Sequence, residues 1–196
     1  MIIAVKEKDS VVIAYTNVDS WNGYYADEDY VDEENLPIKF SESGRLYALA
    51  ELNRVSDVLL SDEGFINSEC TPKTIVRSYI PFIKDVSKDN FSTIEDGYWG
   101  NALVICDNET IYDIDPQFVF CQVKDFVCHG IGVEVIRCVL DSTVGLSAKE
   151  RILKAINFAC KHNKINLYPI VMTDTKSKKL QVIYEGENNR ERIDSI

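Results

Sequence analysis

No stretch of this 196-residue chain approaches the roughly 20 consecutive apolar residues of a membrane-spanning helix. Its opening residues lack the basic region, apolar core and cleavage site of a secretory signal. A soluble cytoplasmic protein with no membrane partner is expected. Excess positive charge is missing as well: 21 Lys and Arg against 32 Asp and Glu leave a net charge of −11. Such a surface repels phosphate backbones, and no basic stripe with interleaved aromatics offsets it, so nucleic acid is not an expected partner. With only two histidines and no CxxC pair among six cysteines, a metal centre is not expected, and no motif asks for a cofactor. The cysteines (Cys70, Cys106, Cys121, Cys128, Cys138, Cys160) are expected to be reduced, buried small hydrophobes.

What remains is an ordinary globular composition, 45% hydrophobic and 27% charged. A chain of this length can bury one good-sized core. Residues 1–186 read as a single domain, and the charged run "ENNRERIDSI" supplies a tail over 187–196.

The hydrophobic period divides the chain into blocks. "MIIAVKEKDSVVIAYTN" holds two short apolar runs that predict strands over 2–6 and 11–16. The excursion "DSWNGYYADEDYVDEEN" follows, with seven acids and no base, and two more strands are expected near 37–41 and 45–50. Leu52, Val55, Val58 and Leu59 then share one face of a helix running to about Ser61. A second helix opens at "TPKTIVRSYIPFIKDV", capped by Thr71 with Pro72 in its first position, and Pro81 should kink it or end its first half. A hairpin around Asp107 and Asn108 and two short strands in "QFVFCQVKDFVCHG" come next. Helices follow over "GIGVEVIRCVLDS" and "LSAKERILKAINFACKHN". The latter carries a Ser147–Glu150 capping box and a buried stripe of Ile152, Ala155, Ile156, Ala159 and Cys160. "LYPIVMTD" and "KKLQVIYEG" are the last strands. Strands, two helices, strands, two helices, strands is an α+β order suited to sheets packed face to face with helices outside.

That order and its local wording resemble the N-terminal nucleophile (Ntn) hydrolases, in particular the proteasome β-subunit type. "IIAVKEKDSVVIA" is similar to the family's opening hairpin, and "RLYALAELNRVSDVLL" to its next strand and first helix. "NALVICDNETIYDIDP" followed by "DFVCHGIGVEVIRCVL" is similar to its hairpin, strand, glycine turn and third helix, and "GLSAKERILKAINFACKHN" to its fourth. The resemblance implies a four-layer αββα sandwich of two mainly antiparallel sheets. It also implies association into larger assemblies through the helical layers.

In the family, a Thr, Ser or Cys at the mature N-terminus attacks the substrate and its own α-amine serves as base, which suits an amine of pKa about 7.7 to 8.0. Aligned on the hairpin, Met1 takes the place of the nucleophile's neighbour, and Met1 before bulky Ile2 should be retained. Thr16 stands where the resemblance implies a carboxylate, and Ile131, between Gly130 and Gly132, where it implies a serine. Asn163 and Asn166 stand for an aspartate and a serine, and the oxyanion-stabilising glycine falls near Ala50 or Glu51. Lys39 in "LPIKF" is the possible survivor of the lysine that tunes the nucleophile. The expectation is a proteasome-like protein without its nucleophile, inactive in hydrolysis and acting through a protein partner or self-association. The alternative is an amide or peptide hydrolase with a rearranged Thr16 and Lys39 site.

Other groupings are weaker. Cys128 and His129 adjoin, but neighbours on a strand point to opposite faces, so a thiol–imidazole couple is not expected. Asp27, Asp29 and Asp32 could meet a calcium ion but lack the spacing of an EF-hand. Trp21, Tyr24, Tyr25 and Tyr30 in the same 19–35 segment have an interface composition, or pack that loop onto the body. "GIG" ahead of a helix could cradle an anion, or serve only as a tight turn. His162 suits a helix C-terminus.

Overall fold

The computed structural model describes residues 1–16, 36–50, 54–89, 99–163 and 166–184. The acidic, aromatic 19–35 segment, Glu51 and the 187–196 tail lie outside the described residues, as do the side chains of Arg54 and Asn163.

Two five-stranded antiparallel sheets form the two middle layers. The first has the order β10-β9-β2-β1-β8, with β1 (Ile2–Lys6) and β2 (Val11–Thr16) central, flanked by β8 (Phe126–His129) and β9 (Ile170–Asp174), and β10 (Gln181–Ile183) at one edge. The second is a meander of β3 (Ile38–Phe40), β4 (Leu46–Leu49), β5 (Leu103–Asp107), β6 (Thr110–Ile114) and β7 (Phe120–Val123). Central strands here are covered on both faces, which is why β1 and β4 read as unbroken apolar runs rather than as alternating ones.

Alternation along each strand sorts these residues into three cores. Ile2, Ala4, Ile13 and Tyr15 meet Leu46, Ala48, Val104 and Ile111 between the sheets. Met1, Ile3, Val5 and Met172 face outward under α5 (Val133–Ser142) and α6 (Ala148–Asn163). Tyr47, Leu49, Leu103 and Ile105 face the opposite helical layer. That layer holds α1 (Arg54–Ser61), α2 (Glu63–Asn67), α3 (Pro72–Thr74), a π turn (Ile75–Tyr79) and α4 (Ile80–Asp89). The four-layer αββα arrangement expected from the sequence is the one found.

Local chemistry sets the element ends. Thr71 Oγ1 accepts from Thr74 N at 3.2 Å with Pro72 at the first helical position. At α6, Glu150 Oε2 accepts from Ser147 N and Oγ at 3.0 and 2.6 Å, and Glu7 from the β1–β2 turn accepts the Ala148 N–H at 2.8 Å. Arg151, 4% exposed, forks onto Asp125 at 2.8 and 2.9 Å and donates to Leu140 O at 2.9 Å. It thereby ties α6 to the end of α5 and to the β7–β8 turn.

Two expectations are corrected, one helix is added and one placement holds. Pro81 does not end its helix: the chain passes into α4 through the π turn, where Ile80 N donates to Ile75 O, five residues back, just ahead of the proline that has no N–H to give. The short helix α2, capped by Asp62 on Phe65 N at 2.7 Å, has too few apolar residues to show a period. Cys121 and Cys138 are exposed and Cys160 is half-buried, so only Cys70, Cys106 and Cys128 are buried apolar fillers. His162 lies at the end of α6 as expected, but there it stacks on Phe158 at 4.0 Å.

Candidate functional site

One end of the sandwich gathers the first residue of β1, the last of β2, the last of β8 and the turn into α5. Met1 and Thr16 form the terminal rung of the β1–β2 ladder: Met1 N donates to Thr16 O and Thr16 N to Met1 O, both at 3.0 Å. A pair that exchanges both backbone bonds shares a face. Met1 belongs to the core under α5 and α6, so Thr16 points into that layer too. Thr16 is fully buried, and its Oγ1 has no hydrogen-bond partner among the described residues.

The glycine turn closes over this rung. Gly130 has φ of +122°, and a Cβ built there would lie 2.8 Å from Met1 Cβ and 2.9 Å from its Cα. A side chain is excluded by space as well as by backbone conformation. Ile131 is half-buried in the turn, and Gly132, with φ of +76°, precedes α5. Cys128 faces the helical core, and burial pushes its thiol up.

His129 points the other way. Paired with Ile2, it faces the second sheet, where its Nε2 stands 2.7 Å from Asp113 Oδ1. A carboxylate only accepts, so that imidazole nitrogen carries the hydrogen. Both side chains are nearly buried, and they bridge the sheets beside the start of β1. This pair escaped the sequence reading, which weighed His129 only against Cys128. Its signal was present in "TIYDID": alternation through Ile111 puts Asp113 on the inner, otherwise apolar face.

The remaining candidates divide. Ala50 is near the rim of the second sheet, its N–H donated to Ala102 O at 3.0 Å. Asn166 is in the loop before β9, whose Ile170 pairs with Thr16, and its Oδ1 accepts from Tyr168 N at 2.9 Å. Asn163 ends α6. Lys39 is not brought to Thr16: its register partner on β4 is Tyr47, which faces the outer helical layer, and its exposed Nζ lies 4.0 Å from Glu63 Oε1. Among the described residues no group of three or more His, Cys, Asp or Glu is placed to hold a metal. No helix among them is long and apolar enough to cross a membrane.

Met1 and the glycine turn thus meet, Thr16 joins them through the backbone, and Lys39 stands apart. Among the described residues no carboxylate hydrogen-bonds Thr16 Oγ1, and Asp113 at this end is held by His129.

No family model matches the sequence, and no curated protein does. Among solved structures the chain is similar to BPH from Thiobacillus denitrificans, at 13% identity and a TM-score of 0.68, covering 88% of this chain and 96% of that one. BPH has also been seen in complex with epoxomicin, with a TM-score of 0.68 to this chain. Eukaryotic HslV from Trypanosoma brucei matches at 14% identity and a TM-score of 0.61, covering 88% and 97%. Anbu, the ancestral beta-subunit from Yersinia bercovieri, matches at 12% and 0.64, covering 95% and 88%. Two stacked antiparallel sheets between helical layers, in the arrangement of these proteins, give this chain the proteasome-like Ntn-hydrolase fold.

Proposed function

We propose that this chain is a proteasome-like protein that does not use N-terminal nucleophile chemistry and acts through self-assembly or a protein partner. The observation that carries this reading is the setting of Thr16 and Ile131, the positions where the resemblance implies a carboxylate and a serine. Thr16 is fully buried with its Oγ1 lacking a hydrogen-bond partner among the described residues, and Ile131 sits half-buried in the glycine turn. A sealed threonine hydroxyl and an isoleucine side chain supply neither the carboxylate nor the proton-relaying hydroxyl that would support a nucleophile on the opening strand. Self-association is supported by analogy with the neighbour described as a beta-subunit.

Two measurements test this. Multi-angle light scattering across a concentration series should give a mass above the monomer's 22.3 kDa; a strict monomer at high concentration removes the self-assembly version and leaves only a protein partner. Intact-mass analysis after incubation with epoxomicin, the molecule bound by BPH, should give no adduct. A stable adduct located at residue 1 would overturn the non-hydrolytic reading.

A further inference from the structure

Away from that end of the sandwich, the β9–β10 hairpin and the first turn of α6 line a half-open cavity of about 200 Å³. Val12 and Met172 form its apolar floor, and Leu180 adds a wall. Lys149 and Lys179 contribute to its lining. Lys149 is half-buried, and its Nζ donates to Gln181 Oε1 at 2.8 Å, which fixes the ammonium beside the cavity instead of leaving it in bulk water. Lys176 and Lys178 in the adjoining turn are outside the lining, the Lys178 ammonium lying against Gly44, so the cationic side of the cavity is Lys149 and Lys179. The one carboxylate of the lining, Asp174, is already engaged: it accepts from Lys176 N at 2.8 Å, Ser177 N at 2.6 Å and Ser177 Oγ.

We propose that this cavity binds a small aliphatic monocarboxylate, with its hydrocarbon chain on Val12, Met172 and Leu180 and its carboxylate between Lys149 and Lys179. The apolar floor asks for a hydrocarbon, and the cationic lip asks for one anionic group at its end. A carboxylate fits better than a phosphate because Lys149, Lys179 and Asp174 together leave the lining about one positive charge, which a singly charged group balances and a doubly charged one exceeds.

Hexanoate titrated into the isotope-labelled full-length chain, followed by amide chemical shifts, tests the assignment. Saturable shifts are expected at Val12, Met172, Lys179 and Gln181, with hexanoate about tenfold tighter than either 1-hexanol, which lacks the charge, or acetate, which lacks the tail. Lys149→Met and Lys179→Met, which keep the aliphatic stem, should each weaken hexanoate about fivefold and leave hexanol unchanged. The comparison of the three ligands on the unaltered protein stands even if a variant folds poorly. Unsaturable shifts, equal affinity for hexanol, or variants that bind hexanoate as before would overturn the proposal. Tighter binding of hexyl phosphate would overturn the choice of carboxylate.

Discussion

His129 and Asp113 stand 2.7 Å apart on facing strands of different sheets, a polar clasp set into an apolar seam. Removing either partner leaves the other nearly buried and unpaired. Asp113→Ala and His129→Ala are each expected to cost about 1–3 kcal/mol in urea unfolding. The double variant should cost less than the sum of the two. Additive costs would mean that the two side chains do not act as a pair.

Gly130→Ala places a methyl group against Met1 at a backbone conformation that L-residues avoid. A loss of about 1–3 kcal/mol is expected. The amide resonances of Ile2 and Tyr15 should shift with it, since they adjoin the disturbed rung. Unchanged stability and spectra would show that Met1 moves aside freely.

Arg151 holds three elements at once through Asp125 and Leu140. Lysine cannot reproduce the fork, so Arg151→Lys is expected to cost about 1–3 kcal/mol. Asp125→Asn, which keeps one acceptor on a half-exposed side chain, should cost less. A lysine variant as stable as the unaltered protein would show that the planar fork is dispensable.

Burial pushes the Cys70 thiol up from 9.0 to about 11. An unfolded chain releases this proton near pH 9 and the folded chain only near pH 11, so the folded state holds more protons in between. Stability from this group is complete below pH 9 and falls as the pH rises toward 11. Melting temperatures of Cys70→Ala should therefore decline less steeply over that interval than those of the unaltered protein. Parallel declines would remove the thiol as a contributor.

The unaltered chain, Thr16→Ala and Lys39→Ala are all expected to leave a panel of peptide and amide substrates uncleaved. The Thr16 hydroxyl is sealed under a helical layer, and Lys39 faces Glu63 on the far side of the second sheet. Cleavage that either change abolishes would restore the rearranged hydrolase.

The strands were legible because they are short and bounded by charge: "IIAVK" and "VVIAYT" coincide with β1 and β2 to the residue. The capping box at Ser147 was legible for a similar reason, since its partners are three residues apart. Contacts between distant segments were not. Period-2 alternation gives the face of Asp113, but no local pattern says which strand crosses above it. The same holds for Lys39, whose type suggested a role that its register against Tyr47 on β4 does not support. The π turn was hidden for another reason: Pro81 signals a break, and an i to i−5 bond that accommodates it leaves no trace in residue type.

The division of the strands between the sheets also bears on how the chain is made. Every described strand and helix from Ile38 to Val123 belongs to the second sheet or its helical layer, so they can assemble while the ribosome is still at work. The first sheet cannot. β1 needs β8, and β2 needs β9, which is separated from it by most of the chain's length. The inner face of the opening hairpin can settle on the second sheet once that is made. Its outer face, covered by α5 and α6, and its edge beside β9 must wait until the last third of the protein emerges, which leaves an apolar strand pair open to aggregation during synthesis.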